Sequence, residues 1–142
     1  MPIKKISALL CALAVAGTSP ASAQDTATFS LELNGAAETE AGSCRLTYVA
    51  ANQTGAALER AAYEVAVFDA QGSVTRLLVL EFGDLVEGKT KILQFDLSGT
   101  PCGGISRIVV NDAAACTVGG AEAQICMQTL SASSRTAIQF GI

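Results

Sequence analysis

The stretch Tyr63–Phe82, YEVAVFDAQGSVTRLLVLEF, decides the fold. Tyr63, Val65 and Val67 share one side of a period-two strand and Glu64 takes the other, the pattern of a strand with one buried face. Asp69-Ala70-Gln71-Gly72 supplies the reversal, because Asp at the first position bonds the backbone two residues on and Gly at the fourth tolerates positive φ. With Asp69 opposite Gly72, Phe68 opposes Ser73, Val67 opposes Val74, Val65 opposes Arg76 and Tyr63 opposes Leu78. Tyr63, Val65, Val67, Val74, Leu78 and Leu80 then fall on one face, so pattern and turn agree. The opposite face mixes Glu64, Thr75 and Glu81 with Phe68, Leu77 and Val79. Either a loop or another strand covers those three apolar residues, or they form an exposed contact patch. Arg76, on the inner face, is expected near a sheet end where its head reaches water.

Outward from this hairpin, the N-terminus carries Lys4 and Lys5, an apolar run Ile6–Ala16 and the sequence Ala21-Ser22-Ala23. Together these read as a secretory signal peptide over residues 1–23, followed by one domain over 24–142. Leu10 before Cys11 is not the small residue a lipoprotein signal needs, and twin arginines are absent, which favours the general export route. No later stretch approaches the ~18 apolar residues of a membrane-spanning helix. Lys4 and Lys5 leave with the signal, so 7 basic residues face 13 acidic ones, a net charge of −6. That charge repels phosphate backbones and anionic membrane surfaces, which argues against nucleic-acid and lipid-surface partners.

Cys44, Cys102, Cys116 and Cys126 remain, an even number for an oxidising compartment, and two disulfides are expected. Four cysteines allow three connectivities. Ile105–Asn111, if extended, carries the chain ~20 Å from Cys102 and leaves little length for a return. The pairs Cys44–Cys102 and Cys116–Cys126 are therefore favoured, the second closing a short Gly-rich loop, with the other pairings still open.

In chain order, Gln24–Thr28 reads as a free arm and Phe29, Leu31 and Leu33 as the inner face of a first strand ending at Asn34-Gly35. Gly35–Ser43 is read as a loop. Cys44, Leu46, Tyr48 and Ala50 line a second strand closed by Asn52–Gly55. Asn52-Gln53-Thr54 matches the N-glycosylation pattern but is read as a turn. Ala56–Ala61 is left as a connection. After the hairpin and a bend at Gly83–Gly88, Lys89–Leu97 is a strand with Leu93 and Phe95 inward, Ile92 fitting the alternation poorly, and lysines suited to an edge. Ile105–Asn111 is a strand with Ile108 and Val110 inward, Cys116–Cys126 a disulfide loop, Ser133-Ser134-Arg135 a turn, and Ala137–Ile142 a last strand. About seven strands with turns between them are the signature of an all-β, two-sheet immunoglobulin-like sandwich. The chain has no Trp, so the expectation covers the architecture and not the antibody topology.

Histidine is absent, which removes histidine-based nucleophile systems, the usual zinc and copper ligand sets, and histidine pH switches. No C-x-x-C pair suggests thiol exchange. Carboxylates at Asp69, Glu81, Asp84, Asp96 and Asp112 leave acid–base chemistry open, but they sit where carboxylates form turns and keep surfaces soluble. The Asp84/Glu87 and Glu38/Glu40 loops lack the dense acidic spacing of a calcium loop. No cofactor, metal or catalytic residue is expected.

Cys44-Arg45-Leu46-Thr47-Tyr48-Val49, Asn52, Phe68-Asp69-x-x-Gly72-x-Val74, Gln94-Phe95-Asp96 and Ser134-Arg135 resemble the shared pattern of a group of small exported bacterial proteins without an assigned activity. The resemblance implies a secreted all-β protein and no mechanism. Three functional expectations follow. The first is a periplasmic or secreted, non-enzymatic accessory domain that contacts an envelope protein through Phe68, Leu77 and Val79 or an open sheet edge. The second is a pilus-type subunit using strand donation, and the third a small ligand-binding or carboxylate-dependent hydrolase sandwich.

Overall fold

The computed structural model describes Pro2 and residues 26–142; apart from Pro2, the signal-peptide segment lies outside the described residues. The chain forms β1 (Thr28–Glu38), β2 (Cys44–Gln53), β3 (Leu58–Phe68), β4 (Val74–Leu85), β5 (Thr90–Leu97), β6 (Arg107–Val118), β7 (Ala121–Glu122), a short helix α1 (Ile125–Gln128), β8 (Leu130–Ser134) and β9 (Gln139–Gly141). One sheet has the order β5-β2-β1-β8 and the other β4-β3-β6-β7, with β9 also paired to β6. The chain thus changes sheet after β2, β4, β5, β7 and β8; repeated crossing is as in immunoglobulin-like sandwiches, but β4 stays beside β3 instead of joining the β1/β2/β5 sheet as the antibody constant pattern requires.

The alternation read from sequence holds in the core. Phe29, Leu31 and Leu33 of β1, Leu46, Tyr48 and Ala50 of β2, and Tyr63, Val65 and Val67 of β3 are all buried. With no Trp available, the centre is filled by Tyr48 packed edge-on against Phe82, Phe95 and Phe140, and by Tyr63 stacked on Phe29. Such pairs add a specific geometry to the burial of large apolar area.

The hairpin register differs from the sequence expectation. Asp69 Oδ1 accepts hydrogen bonds from the N–H groups of Gln71 and Ser73, the Gly72 N–H donates to Asp69 O, and Asp69 N–H donates to Ser73 O. Gly72 sits at φ +81°, so the turn ends in a glycine bulge and Asp69 faces Ser73. A second irregularity between Val67 and Phe68 adds another residue, giving Val67↔Arg76, Val65↔Leu78 and Tyr63↔Leu80. A slip of two leaves side-chain parity intact, which is why the faces survive although the pairs change. Val74, expected inside, lies beyond the bulge and is exposed.

The described residues form nine strands, where about seven are expected from the sequence. β8 was not anticipated, because Leu-Ser-Ala-Ser-Ser has little β-propensity of its own; it forms by parallel pairing with β1. Ser133 and Ser134 accordingly belong to this strand and not to a turn. β6 continues through Ala113–Ala115 to Val118 because β3 holds it by antiparallel pairing as far as Arg60↔Thr117. The Cys116–Cys126 span is therefore a strand end, the short β6/β7 ladder and α1, not a loop. Leu58–Ala61, expected in a connection, opens β3, and Gly35–Glu38, expected in a loop, extends β1.

Both favoured disulfides are present, Cys44–Cys102 and Cys116–Cys126. The first ties the start of β2 to the single 3-10 turn before β6, and the second ties β6 to α1. Asn52 clamps the other end of the sandwich. Its side-chain amide donates to the carbonyls of Ala56 and Leu85, its Oδ1 accepts from Thr54, and its main chain exchanges bonds with Lys89 and Gly88. Fully buried with its amide spoken for, Asn52 is a structural residue of the turn region and not an accessible glycan acceptor.

Candidate contact surface

The sandwich has two lateral edges. At one, β8 runs parallel to β1 in the first sheet and β9 parallel to β6 in the second, so one C-terminal strap crosses between sheets and closes the gap. Its corner is secured by Ser134 Oγ donating to Ile138 O, Arg135 N–H to Leu33 O and the Arg135 guanidinium to Glu32. At the root of the strap, the Tyr63 hydroxyl donates to Cys126 O at 2.8 Å.

The opposite edge is formed by β4 and β5, each the terminal strand of its sheet. Two cationic side chains bridge them. Lys91 Nζ donates to Phe82 O and Asp84 O, and the Arg76 guanidinium donates to Ser98 O. Arg76 thus lies near the hairpin end as expected, and Lys91 bonds the neighbouring strand's backbone. A cleft of about 430 Å³ lies along this edge, lined by Leu78, Leu80, Phe95 and Leu97 among others.

Exposed apolar residues gather at the same edge. Among the described residues, the large hydrophobics that stand free are Val74 (53%), Leu77 (59%) and Val79 (51%) on β4, Val86 (57%) in the following turn, Ile92 (68%) on β5, and Ile142 at the terminus. Two of the three patch residues read from sequence, Leu77 and Val79, are therefore uncovered. Phe68 differs: it is half-buried under the guanidinium of Arg107, its cross-strand partner on β6, 3.9 Å from its ring centre, a cation–π contact supplied by the neighbouring strand. Val109 of β6 and Ala66 of β3 carry the surface across the sheet from Leu77. Ile92 was missed as a surface residue, although its poor fit to the strand alternation was the signal.

The carboxylates considered for chemistry serve the fold and its surface. Asp69 holds the hairpin turn. Glu81 pairs with Arg60, Asp96 with Arg45 through two hydrogen bonds, and Asp84 with Lys91 at 3.6 Å. The hydrogen bond from Arg60 holds the Glu81 carboxyl below its ordinary range, and that from Arg45 does the same for Asp96. Asp112 accepts from the Ala113 N–H beside a small cleft it shares with Glu122. Glu38 accepts the Cys102 N–H and Glu87 the Gly55 N–H. Among the described residues, the buried polar side chains are Ser43, Asn52 and Thr54, and no group of three or more His, Cys, Asp or Glu is placed to hold a metal ion. No described helix is long and apolar enough to cross a membrane.

These features define an all-β sandwich with two disulfides, consistent with an oxidising compartment, closed along one side and open along the other. Neither a protein-family model, a curated protein nor a solved structure matches the chain.

Proposed function

We propose that the protein is an exported, non-enzymatic accessory domain, periplasmic or secreted, that binds another envelope or secreted protein through the outward face of its central hairpin. The observation that carries this reading is the uncovered Leu77 and Val79, side by side on a terminal strand of the sheet. Apolar side chains left in water on an otherwise acidic domain are where association recovers the most free energy, about 25 cal/mol per Å² covered. Export is supported by the charged-then-apolar N-terminus and by the two disulfides. The sequence resemblance to small exported bacterial proteins points the same way. Strand donation, as in a pilus-type subunit, would draw on the terminal strands, and here β1, β8 and β9 are paired within their own sandwich.

Replacing Leu77→Ser and Val79→Lys together leaves the melting temperature within a degree or two of the wild type, because both side chains are exposed. It abolishes capture of the envelope partner in a pull-down. Unchanged capture by a folded double variant rejects this face as the contact.

A further inference from the structure

The β4 edge differs from every other edge strand described. β7 has two residues, β9 three and β8 five, all too short to template another chain, and β5 starts beside lysines. β4 has twelve residues and no Pro. Natural edges are guarded by charge, proline, bulges or brevity. Beyond Phe82, β4 is guarded: Lys91 occupies the Phe82 and Asp84 carbonyls, and Glu81 Oε1 accepts the Gly83 N–H. Over Val74–Leu80 the only charge is Arg76, which folds onto Ser98 O. The bulge at Thr75, between the pairs Val67↔Arg76 and Phe68↔Val74, marks the start of this stretch, and beyond it the strand presents an open backbone edge, with Val74, Leu77 and Val79 exposed along the stretch.

Charge separates this edge from the rest of the surface. Each carboxylate on β4 and β5, namely Glu81, Asp84 and Asp96, is in an ion pair. Glu40, Glu59, Glu64, Asp112 and Glu122, on other elements, have no salt-bridge partner among the described residues, nor do Asp69 and Glu87 in the turns at the two ends of β4. Two acidic copies repel each other through most orientations, and the charge-compensated β4/β5 side is where they approach at least cost.

We infer that β4 is a self-association edge: two copies pair antiparallel through Val74–Leu80 about a two-fold axis near Leu77, joining their β4-β3-β6 sheets into one continuous sheet. The inference rests on reading Leu77 and Val79 as a contact surface and names a second copy of this chain as the occupant. The segment is its own complement in that arrangement. Leu77 meets its mate, Val79 meets Thr75, and Arg76 meets Leu78 rather than another Arg76, so no like charges are opposed. A two-fold interface requires this kind of self-matching.

Sedimentation equilibrium of the purified exported protein, from micromolar to millimolar concentration, is expected to show a twofold rise in mass. Leu77→Lys/Val79→Lys stays at monomer mass with an unchanged melt, and Ile142→Lys still dimerises. A nitroxide on Leu77→Cys couples to its mate within ~20 Å, since facing β-carbons are ~5 Å apart; this readout decides the matter if the lysine variant misfolds. A monomer across the whole range, or a dimer that survives the lysine pair, overturns the inference. A monomer that still captures an envelope protein through Leu77 and Val79 overturns the dimer alone, whereas a dimer that captures nothing overturns the proposed function alone.

Discussion

The two lateral edges of this sandwich solve one problem in opposite ways. A two-sheet fold leaves unpaired backbone and a line of apolar side chains along each side. On the β8/β9 side a single strap joins one sheet and then the other, anchored by Cys116–Cys126 and the Tyr63 hydroxyl at its root. On the β4/β5 side two long cationic side chains span the gap and leave strand edges and five apolar side chains in solvent. Covalent and ladder closure ties a side's backbone groups into the fold, whereas closure by side chains alone leaves a strand edge open.

The largest expected effects test how far the disulfides hold each region. Breaking Cys44–Cys102 by paired Cys→Ser substitution costs about 4 kcal/mol of unfolding free energy, and breaking Cys116–Cys126 about 3 kcal/mol, because the loops they close span separations of 58 and 10 residues. Urea denaturation measures both. Hydrogen exchange then separates the edges: without Cys116–Cys126, protection falls in β8 and β9 while β4 keeps its own, and an equal loss at both edges would contradict the strap's separate anchoring.

The buried tyrosines give a smaller, signed comparison. Tyr63 donates to Cys126 O, so Tyr63→Phe loses a buried hydrogen bond and leaves that carbonyl bare, a loss of about 1 kcal/mol. Tyr48 packs among Phe82, Phe95 and Phe140 with its hydroxyl unpartnered, so Tyr48→Phe raises stability by up to about 1 kcal/mol. Melting curves of both variants check the opposite signs. Burial raises the pKa of both hydroxyls, so the folded state resists their ionisation.

The smallest effect is the pH dependence. The Asn34 amide and Arg135 lower the Glu32 pKa, Arg60 that of Glu81 and Arg45 that of Asp96. A carboxyl whose folded-state pKa is depressed contributes stability that is complete above its unfolded value and is lost as pH falls through the folded value. Stability therefore declines gently below about pH 4, and added salt weakens the effect because these pairs are exposed. The tyrosines act in the other direction: their contribution is complete below their ordinary pKa near 10 and is lost above it. Midpoints of urea denaturation across pH, with and without salt, test both limbs.

Legibility followed the range of the interaction. Phe29, Leu31, Leu33, Leu46, Tyr48, Tyr63 and Val65 were readable as core because a two-residue period is a local property. The hairpin turn was readable from Asp69 and Gly72, yet its two bulges, and with them every cross-strand pair, were not. β8 escaped because Ser and Ala carry no strand signal without β1 beside them. Of the contact surface, Leu77 and Val79 were visible as apolar residues on the wrong face. Arg107 over Phe68, and the bridging roles of Lys91 and Arg76, depend on neighbours that sequence does not name.

By itself, the sequence determined most of the side chains that face inward, four cysteines after Cys11 for two bridges, the acidic charge and the absence of histidine chemistry, since all of these are sums or short-period patterns along the chain. Only the tertiary structure decided strand adjacency, the parallel placement of β8 and β9, and which edge stays open. Those are outcomes of competition between distant segments for the same backbone donors and acceptors, and no local window contains both competitors.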